Sequence, residues 1–193
     1  MLDNLLKEPK ERVNGWHHEE IGDDHMLTGM NTPLKPDAFG LSDEEKKKRI
    51  AHHFRHIMDV LGLDLTDDSL KGTPMRVAKM YVDEIFSGLK PENKPRATLF
   101  DNKYQYNQML VEKNITVYST CEHHLLPIVG KAHIAYISNG SVVGLSKMNR
   151  IVDYFAKRPQ VQERMNIQIV RELQKRNILI FAGSSVNGTS VID

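Results

Sequence analysis

The chain has 193 residues, 40% of them hydrophobic, and this length and composition suit one domain with a real core. A net charge of +1, and no apolar run long enough to span a bilayer, argue against nucleic acid or membrane as the main partner. The first residues lack the apolar stretch of a signal peptide and a single cysteine excludes an internal disulfide, so we predict a cytoplasmic protein.

Residues 1–40 are polar, rich in Gly, Pro and His, and show no sustained apolar period. Such a segment buries too little apolar surface to offset the entropy lost on ordering. We therefore predict a flexible N-terminal arm over 1–40 and a folded domain over 41–193.

Two helices are predicted at the start of the domain. The first follows Ser42 with an acidic turn and ends at Gly62. Its apolar face comprises Ile50, Phe54, Ile57, Met58 and Leu61. The second begins where Thr73 can cap and Pro74 occupies the first position, and it ends near Gly88. Its apolar stripe comprises Val77, Met80, Tyr81 and Ile85.

The apolar period changes to two after residue 111. The stretches "KNITVYST" at 113–120 and "PIVGKAHIAYIS" at 127–138 are predicted strands. Asn139-Gly140 suits a tight hairpin turn, with "SVVGL" returning as the next strand. Cys121 then lies just past a strand end, in the loop before the next strand.

Two further helices are predicted after Leu145, separated near Pro159. Their inward-facing residues are Met148, Ile151, Val152 and Phe155 in the first, and Val161, Met165, Ile169 and Leu173 in the second. The tail "NILIFAGSSVNGTSVID" is predicted to form a strand, a turn and a strand.

The stretch "STCEHHLL" at 119–126 is a candidate metal site. Catalytic zinc usually takes three protein ligands and a water, and a cysteine can share one ion with a histidine three residues later. Cys121 and His124 are therefore candidate ligands, and His123 is a candidate proton donor because imidazole titrates near neutrality. The alternative is a small buried cysteine beside solvent-facing histidines.

Two further clusters suit a nucleotide. Ser146 can cap a helix whose first turn carries Lys147 and Arg150, an arrangement that favours phosphate; the alternative is a solvated cationic face. In "RPQVQERM", Gln162 and Glu163 project away from the core. A carboxylate there can accept two hydrogens from guanine, although a surface role is the alternative.

Together these segments resemble the GTP cyclohydrolase I family, from about residue 41 to about residue 174. The matching stretches are "DDSLKGTPMRVAKMYVDEIFSGL", "STCEHHLLPIVGKAHIAYI" and "VVGLSKMNRIVDYFAKRPQVQERM". The resemblance implies an α+β tunnelling fold (T-fold), an antiparallel four-stranded sheet with helices packed on one face, preceded by N-terminal helices. It also implies a toroidal homodecamer with active sites between subunits.

The family reaction converts GTP into 7,8-dihydroneopterin triphosphate and formate, the first step of tetrahydrofolate or pterin biosynthesis. The resemblance implies that Cys121 and His124 bind Zn²⁺ and that His123 protonates the purine. The positions that match the family's substrate contacts are Arg76, Ser146, Lys147 and Arg150 for the triphosphate, and Gln162 and Glu163 for guanine. Arg76 matches a contact from a neighbouring subunit.

The sequence departs from the family at its third zinc ligand, a cysteine in a segment of the form A-x-H-x-C. This sequence has one cysteine, and its last residues "SVID" resemble the strand leading into that segment, as a frameshift, premature stop or fragment would produce. One hypothesis is an active cyclohydrolase whose third ligand is His133, Asp193 or a residue of a neighbouring chain. The other is a catalytically impaired truncated homologue that keeps the fold and binds GTP or associates with complete subunits.

Overall fold

The protein is an α+β structure, as predicted. The computed structural model describes residues 29–96, 99–103, 105, 107–175 and 179–186. The elements in chain order are α1 (Asp43–Val60), α2 (Thr73–Lys79), a π-helical turn (Met80–Ile85), two 3₁₀ turns (Ser87–Leu89 and Pro91–Asn93), β1 (Leu99–Asp101), β2 (Met109–Cys121), β3 (Pro127–Ile137), β4 (Ser141–Val143), α3 (Leu145–Ala156), β5 (Pro159–Gln160), α4 (Gln162–Gln174) and β6 (Leu179–Val186). Among the described helices, none is both long and apolar enough to cross a membrane.

The predicted bounds of α1 are confirmed. The Ser42 hydroxyl accepts a hydrogen bond from the Glu45 amide at 3.2 Å, and Gly62 adopts the left-handed φ of +77° that ends the helix. The predicted apolar face is only partly buried: Met58 is buried, but Ile57 and Leu61 are 50% and 69% exposed. Within the described chain α1 packs mainly against α2 and the π-helical turn, which leaves its C-terminal end uncovered.

The second helix differs from its prediction in two ways. Its N-cap is Gly72, and the predicted cap Thr73 is instead the first helical residue, with its hydroxyl accepting a hydrogen bond from Arg76 at 3.0 Å. After Lys79 the helix continues as a π-helical turn, which adds a residue to the turn and rotates the inward face. Val82 is consequently buried, whereas Met80 is 36% exposed.

The main sheet has the strand order β5-β2-β3-β6. The β2–β3 hairpin closes at Thr120↔Pro127, and β6 pairs with β3, also antiparallel. The fourth strand, β5, has two residues and runs parallel to β2. The prediction of an antiparallel sheet is therefore confirmed for the three long strands and wrong for β5.

The returning strand predicted after Asn139-Gly140 pairs elsewhere. Gly140 has a φ of +80°, as a turn requires, but β4 pairs antiparallel with β1 in a separate two-stranded sheet. The buried Tyr136 hydroxyl lies 3.3 Å from the Val143 amide, so a side-chain contact joins β4 to β3 in place of a strand ladder.

The core lies between one face of the sheet and the helices α3 and α4. The opposite face of β2 is open, with Tyr118 66% exposed. The predicted inward-facing residues that are buried are Met148, Ile151, Val152, Phe155, Met165, Ile169 and Leu173. Val161 is only half-buried because it is the N-cap of α4. The N-cap of α3 is Gly144 rather than the predicted Ser146, which is the second helical residue.

The chain segment before α1 contacts α4. Arg164 Nε donates to the Gly29 carbonyl at 2.8 Å, and Gln168 Nε2 donates to the Met30 carbonyl at 3.2 Å. The last part of the predicted arm therefore lies on the domain, while residues 1–28 are outside the described part. The division at residue 40 stays a prediction. Strand β6 confirms the first strand of the predicted tail, and residues 187–193 also lie outside the description.

Candidate active site

A tight turn connects β2 to β3 and carries the cysteine and both histidines. The Leu125 amide donates to the Cys121 carbonyl at 2.9 Å, and the Cys121 amide donates to the Leu126 carbonyl at 2.8 Å. Leu125 has a φ of +56°, a left-handed conformation that costs a side chain about 1–3 kcal/mol. Such strain occurs preferentially at functional sites, where the surrounding structure holds it in place.

The side chains of Cys121, His123 and His124 converge. Cys121 Sγ lies 3.8 Å from His123 Nδ1 and 4.0 Å from His124 Nδ1. Tetrahedral zinc bonds of about 2.3 Å to sulfur and about 2.0 Å to nitrogen would place two such ligands roughly 3.5 Å apart. Both histidines are near that separation, but His123 Nε2 also lies 3.9 Å from a Glu122 carboxylate oxygen. The distances do not distinguish the two histidines as ligands, and the assignment of His124 rests on the family resemblance.

The donors fit zinc in chemistry but fall short in number. Thiolate and imidazole are common zinc ligands, yet across the described residues no group of three or more His, Cys, Asp or Glu side chains is placed to hold a metal ion. His133 lies six residues into β3 from Pro127, roughly 20 Å along the strand, and faces the Asn114 amide at 3.3 Å. The hypothesis that His133 completes the site in the same chain is wrong. Asp193 is outside the described residues.

An ion pair joins the turn to α4, and the sequence analysis missed it. Both terminal nitrogens of Arg164 face the Glu122 carboxylate, with Nη2 3.3 Å from Oε1. The side chains are only 5% and 18% exposed. The sequence did contain a signal for this pair. Arg164 lies on the inward side of an amphipathic helix, next to Met165, and a buried arginine needs a charged or hydrogen-bonding partner.

The candidate guanine contacts lie close to this turn. Cys121 is paired with Gln160 in the sheet, and α4 starts two residues after Gln160 with Gln162 and Glu163. Both side chains are exposed. The structure thus brings the predicted base-recognition residues beside the predicted metal site.

The candidate phosphate contacts lie elsewhere. Ser146, Lys147 and Arg150 share the first turns of α3, which begins two residues after Val143. Val143 contacts Tyr136, and Tyr136 is nine residues from Pro127, roughly 30 Å along β3. The start of α3, with Ser146 and Lys147, therefore lies at the opposite end of the hairpin from the Cys121 turn, whereas the end of α3 is near the turn, where the Ser119 hydroxyl donates to the Ala156 carbonyl at 2.7 Å.

The fourth predicted phosphate contact, Arg76, is also apart from the turn. Its Nη2 atom donates to the Ser69 carbonyl at 2.8 Å and to the Thr73 hydroxyl at 3.0 Å. These local bonds orient the guanidinium at the start of α2, on an exposed surface.

The sequence model of the family described as GTP cyclohydrolase I matches residues 50–182, which include every candidate site residue except Asp193. The chain belongs to the GTP cyclohydrolase I family. GTP cyclohydrolase 1 of Flavobacterium johnsoniae is 65% identical over 157 residues, covering 81% of this chain and 70% of that protein. The proteins of the same name from Vibrio parahaemolyticus and Vibrio campbellii are 59% and 58% identical over 146 residues, covering 76% of this chain and 66% of theirs. This member of the family thus spans about two thirds of the length of the relatives it matches.

Proposed function

We propose that this protein hydrolyses GTP to 7,8-dihydroneopterin triphosphate and formate, at the start of tetrahydrofolate or pterin biosynthesis. It is a hydrolase that opens the imidazole ring of the purine at a C–N bond. The observation that carries the proposal is the strained turn at 121–126, where one thiol and two imidazoles converge inside the range that matches the family.

Cys121 and His124 would hold a zinc ion, together with a ligand from outside the described residues or from another subunit. A zinc ion held there would supply Lewis-acid activation of the water that attacks the purine ring. His123 lies beside Cys121 and His124 and donates a proton to the purine as the ring opens.

The start of α4 selects the base. Glu163 accepts two hydrogen bonds, from N1–H and from the exocyclic amino group of guanine, and Gln162 adds a further contact. Adenine offers no donor at its N1 position, so the carboxylate favours GTP over ATP.

The triphosphate site is assembled between subunits. Ser146 and Lys147 lie at the end of the hairpin opposite the turn, with Arg150 one turn further along α3, and another copy presents this cluster to the same GTP molecule. Arg76 is supplied in the same way. This requirement supports the family's homodecamer, and the helix-covered sheet supports its tunnelling fold.

A cytoplasmic location stays a prediction from the sequence.

An active enzyme is favoured over an impaired homologue. The family model covers the turn and the helix starts that carry the candidate residues, and a protein named GTP cyclohydrolase 1 is 65% identical over 157 residues.

The test is release of formate and a fluorescent pterin from GTP by the zinc-loaded protein. ATP serves as the control substrate. We expect release from GTP alone; no formate from GTP, under conditions where zinc is bound, would contradict the proposal.

A further inference from the structure

We infer that Glu122 and Arg164 form a positioning clamp, which holds the Cys121–His124 turn in register with the base-recognition end of α4. Neither residue is placed to touch the substrate; both act through their neighbours. The inference rests on the proposed function for its catalytic consequence, although the clamp itself is a property of the fold.

Arg164 is fully engaged and almost fully buried. Its two terminal nitrogens face the Glu122 carboxylate, and Nε donates to the Gly29 carbonyl at 2.8 Å. A guanidinium that is 5% exposed is strongly disfavoured without such partners, so the pair is maintained wherever this part of the chain is folded. Its planar fork fixes direction as well as distance, which a lysine would not do.

Glu122 is restrained twice. Its amide donates to the Gln160 carbonyl at 3.1 Å, and its carboxylate reaches Arg164 on the next helix. Since Glu122 lies between Cys121 and His123 in the sequence, restraining its backbone and its side chain also restrains both neighbours.

The platform beneath the clamp is rigid. Gln160 is 1% exposed, and its Nε2 donates to the Phe155 carbonyl at 2.7 Å and to Gln168 Oε1 at 2.9 Å. Gln160, which pairs with Cys121 in the sheet, therefore ties the end of α3 to α4. With this support, the turn and the first turn of α4 behave as one unit.

The clamp thus fixes the position of the Cys121–His124 turn relative to the start of α4. The turn carries the proposed metal ligands and proton donor, and the start of α4 carries the guanine contacts. A displacement of about 1 Å between such groups can lower the rate about a hundredfold. The phosphate contacts lie on the first turns of α3, and the hydrogen bond from Gln160 reaches only the other end of that helix at Phe155, so substrate affinity should change much less than turnover.

The first test needs neither zinc nor substrate. Cys121 is the only cysteine, so its rate of alkylation by iodoacetamide in the zinc-free protein reports directly on the turn. The variants are Glu122→Gln and Arg164→Lys, which keep the shape or the charge but lose the bidentate pair. We expect alkylation to become severalfold faster in both, because the turn opens more often.

The matched control is Arg171→Lys, an arginine on the exposed side of the same helix. Cys121 in this control should be alkylated at the same rate as in the unmodified protein. A variant that does not fold, judged by circular dichroism, is replaced by Glu122→Asp, which keeps the charge and shortens its reach. If the folded clamp variants are alkylated at the unmodified rate and only their Tm is lower, the pair stabilises the fold as a whole and does not position the turn. That result would overturn the inference.

The second test separates turnover from binding. In formate release from GTP, we expect kcat of the clamp variants to fall about a hundredfold while KM stays within about threefold. Equal losses in Arg171→Lys, or a change confined to KM, would also overturn the inference. If the unmodified protein releases no formate, the proposed function fails, and the labelling result still decides the clamp.

Discussion

The two ends of the β2–β3 hairpin handle charge in opposite ways. At the turn end, the buried charges of Glu122 and Arg164 neutralise each other within the chain. At the other end, within the described part of the chain, neither Lys147 nor Arg150 forms an ion pair, and Arg150 lines an open cavity of about 330 Å³. One end is closed by the chain itself, while the other leaves its positive charge available to a ligand.

This difference agrees with the roles proposed for the two ends. Proton transfer and metal binding depend on distances of a few tenths of an ångström, so their residues need neighbours that fix them. A triphosphate is attracted over longer distances by charge alone, so exposed cations at a helix start suffice. The following predictions test whether this division holds.

The largest effects should come from the turn. Cys121→Ser should lose bound zinc and reduce formate release below detection. His123→Ala should retain zinc and lower kcat about 10²–10⁴-fold, because it removes a proton donor and not a ligand. Zinc content after dialysis and formate release are measured on both. Loss of zinc from His123→Ala would show that the 3.8 Å contact to Cys121 marks His123 as a ligand instead.

Substitutions at the open end should weaken binding. Lys147→Ala and Arg150→Ala should each raise KM about 10–100-fold, the equivalent of one lost charged hydrogen bond of about 1.5–3 kcal/mol. Steady-state kinetics at varied GTP concentration measures this. The control is Lys48→Ala, an exposed lysine on α1, which should leave KM unchanged.

Mixing subunits tests the separation of the two ends directly. Oligomers reassembled from Cys121→Ser and Lys147→Ala chains contain some sites with an intact turn from one chain and an intact α3 from another. At GTP concentrations below the raised KM of Lys147→Ala, such mixtures should release more formate than either variant alone. An inactive mixture, with exchange of subunits verified by mass, would place both clusters in one chain.

Base selection should depend on the start of α4. Glu163→Gln should lower GTP affinity about tenfold or more, because a charged acceptor of two hydrogen bonds becomes a neutral one. Calorimetric titration with GTP and ATP measures it, and ATP affinity should not fall. A parallel loss for both nucleotides would remove Glu163 from guanine recognition.

The sequence predicted local features best. The 3.6-residue period placed α1, α3 and α4, because buried residues such as Met148 and Met165 repeat on one face. The Cys121, His123 and His124 group was also predictable, since all three residues fall within one turn. The family resemblance added roles that spacing alone left open.

The missed features are those that depend on contacts between distant parts of the chain. The Glu122–Arg164 pair joins residues 42 apart, and no local pattern specifies it. The pairing of β4 with β1 depends likewise on Tyr136 meeting Val143. Ser146 has a good capping side chain, but Gly144 is in the extended conformation where the helix actually begins. Propensity identified a helix start and missed its position by two residues.

The smallest expected effect concerns a buried carboxyl group at the open end of the hairpin. Burial raises the pKa of Glu112, with a hydrogen bond from Asn149 opposing the shift. Glu112 Oε2 is buried and has no hydrogen-bond partner among the residues that the structure describes. A carboxyl group whose pKa is higher in the folded state binds its proton more tightly there. Its favourable contribution is complete below the unfolded pKa of about 4.3 and is lost as pH rises through the folded value.

Replacing Glu112 with glutamine should therefore stabilise the protein at pH 7, where the native side chain is forced to carry a buried charge. A gain of about 1 kcal/mol corresponds to a rise of about 2–4 °C in Tm for a chain of this size. The difference should shrink as pH falls towards 4, because the native carboxyl is then protonated in both states. Thermal unfolding of both proteins across this pH range measures it, with Glu92→Gln at an exposed position as the control. A constant difference at all pH values would mean that packing around the side chain, and not its charge, determines the effect.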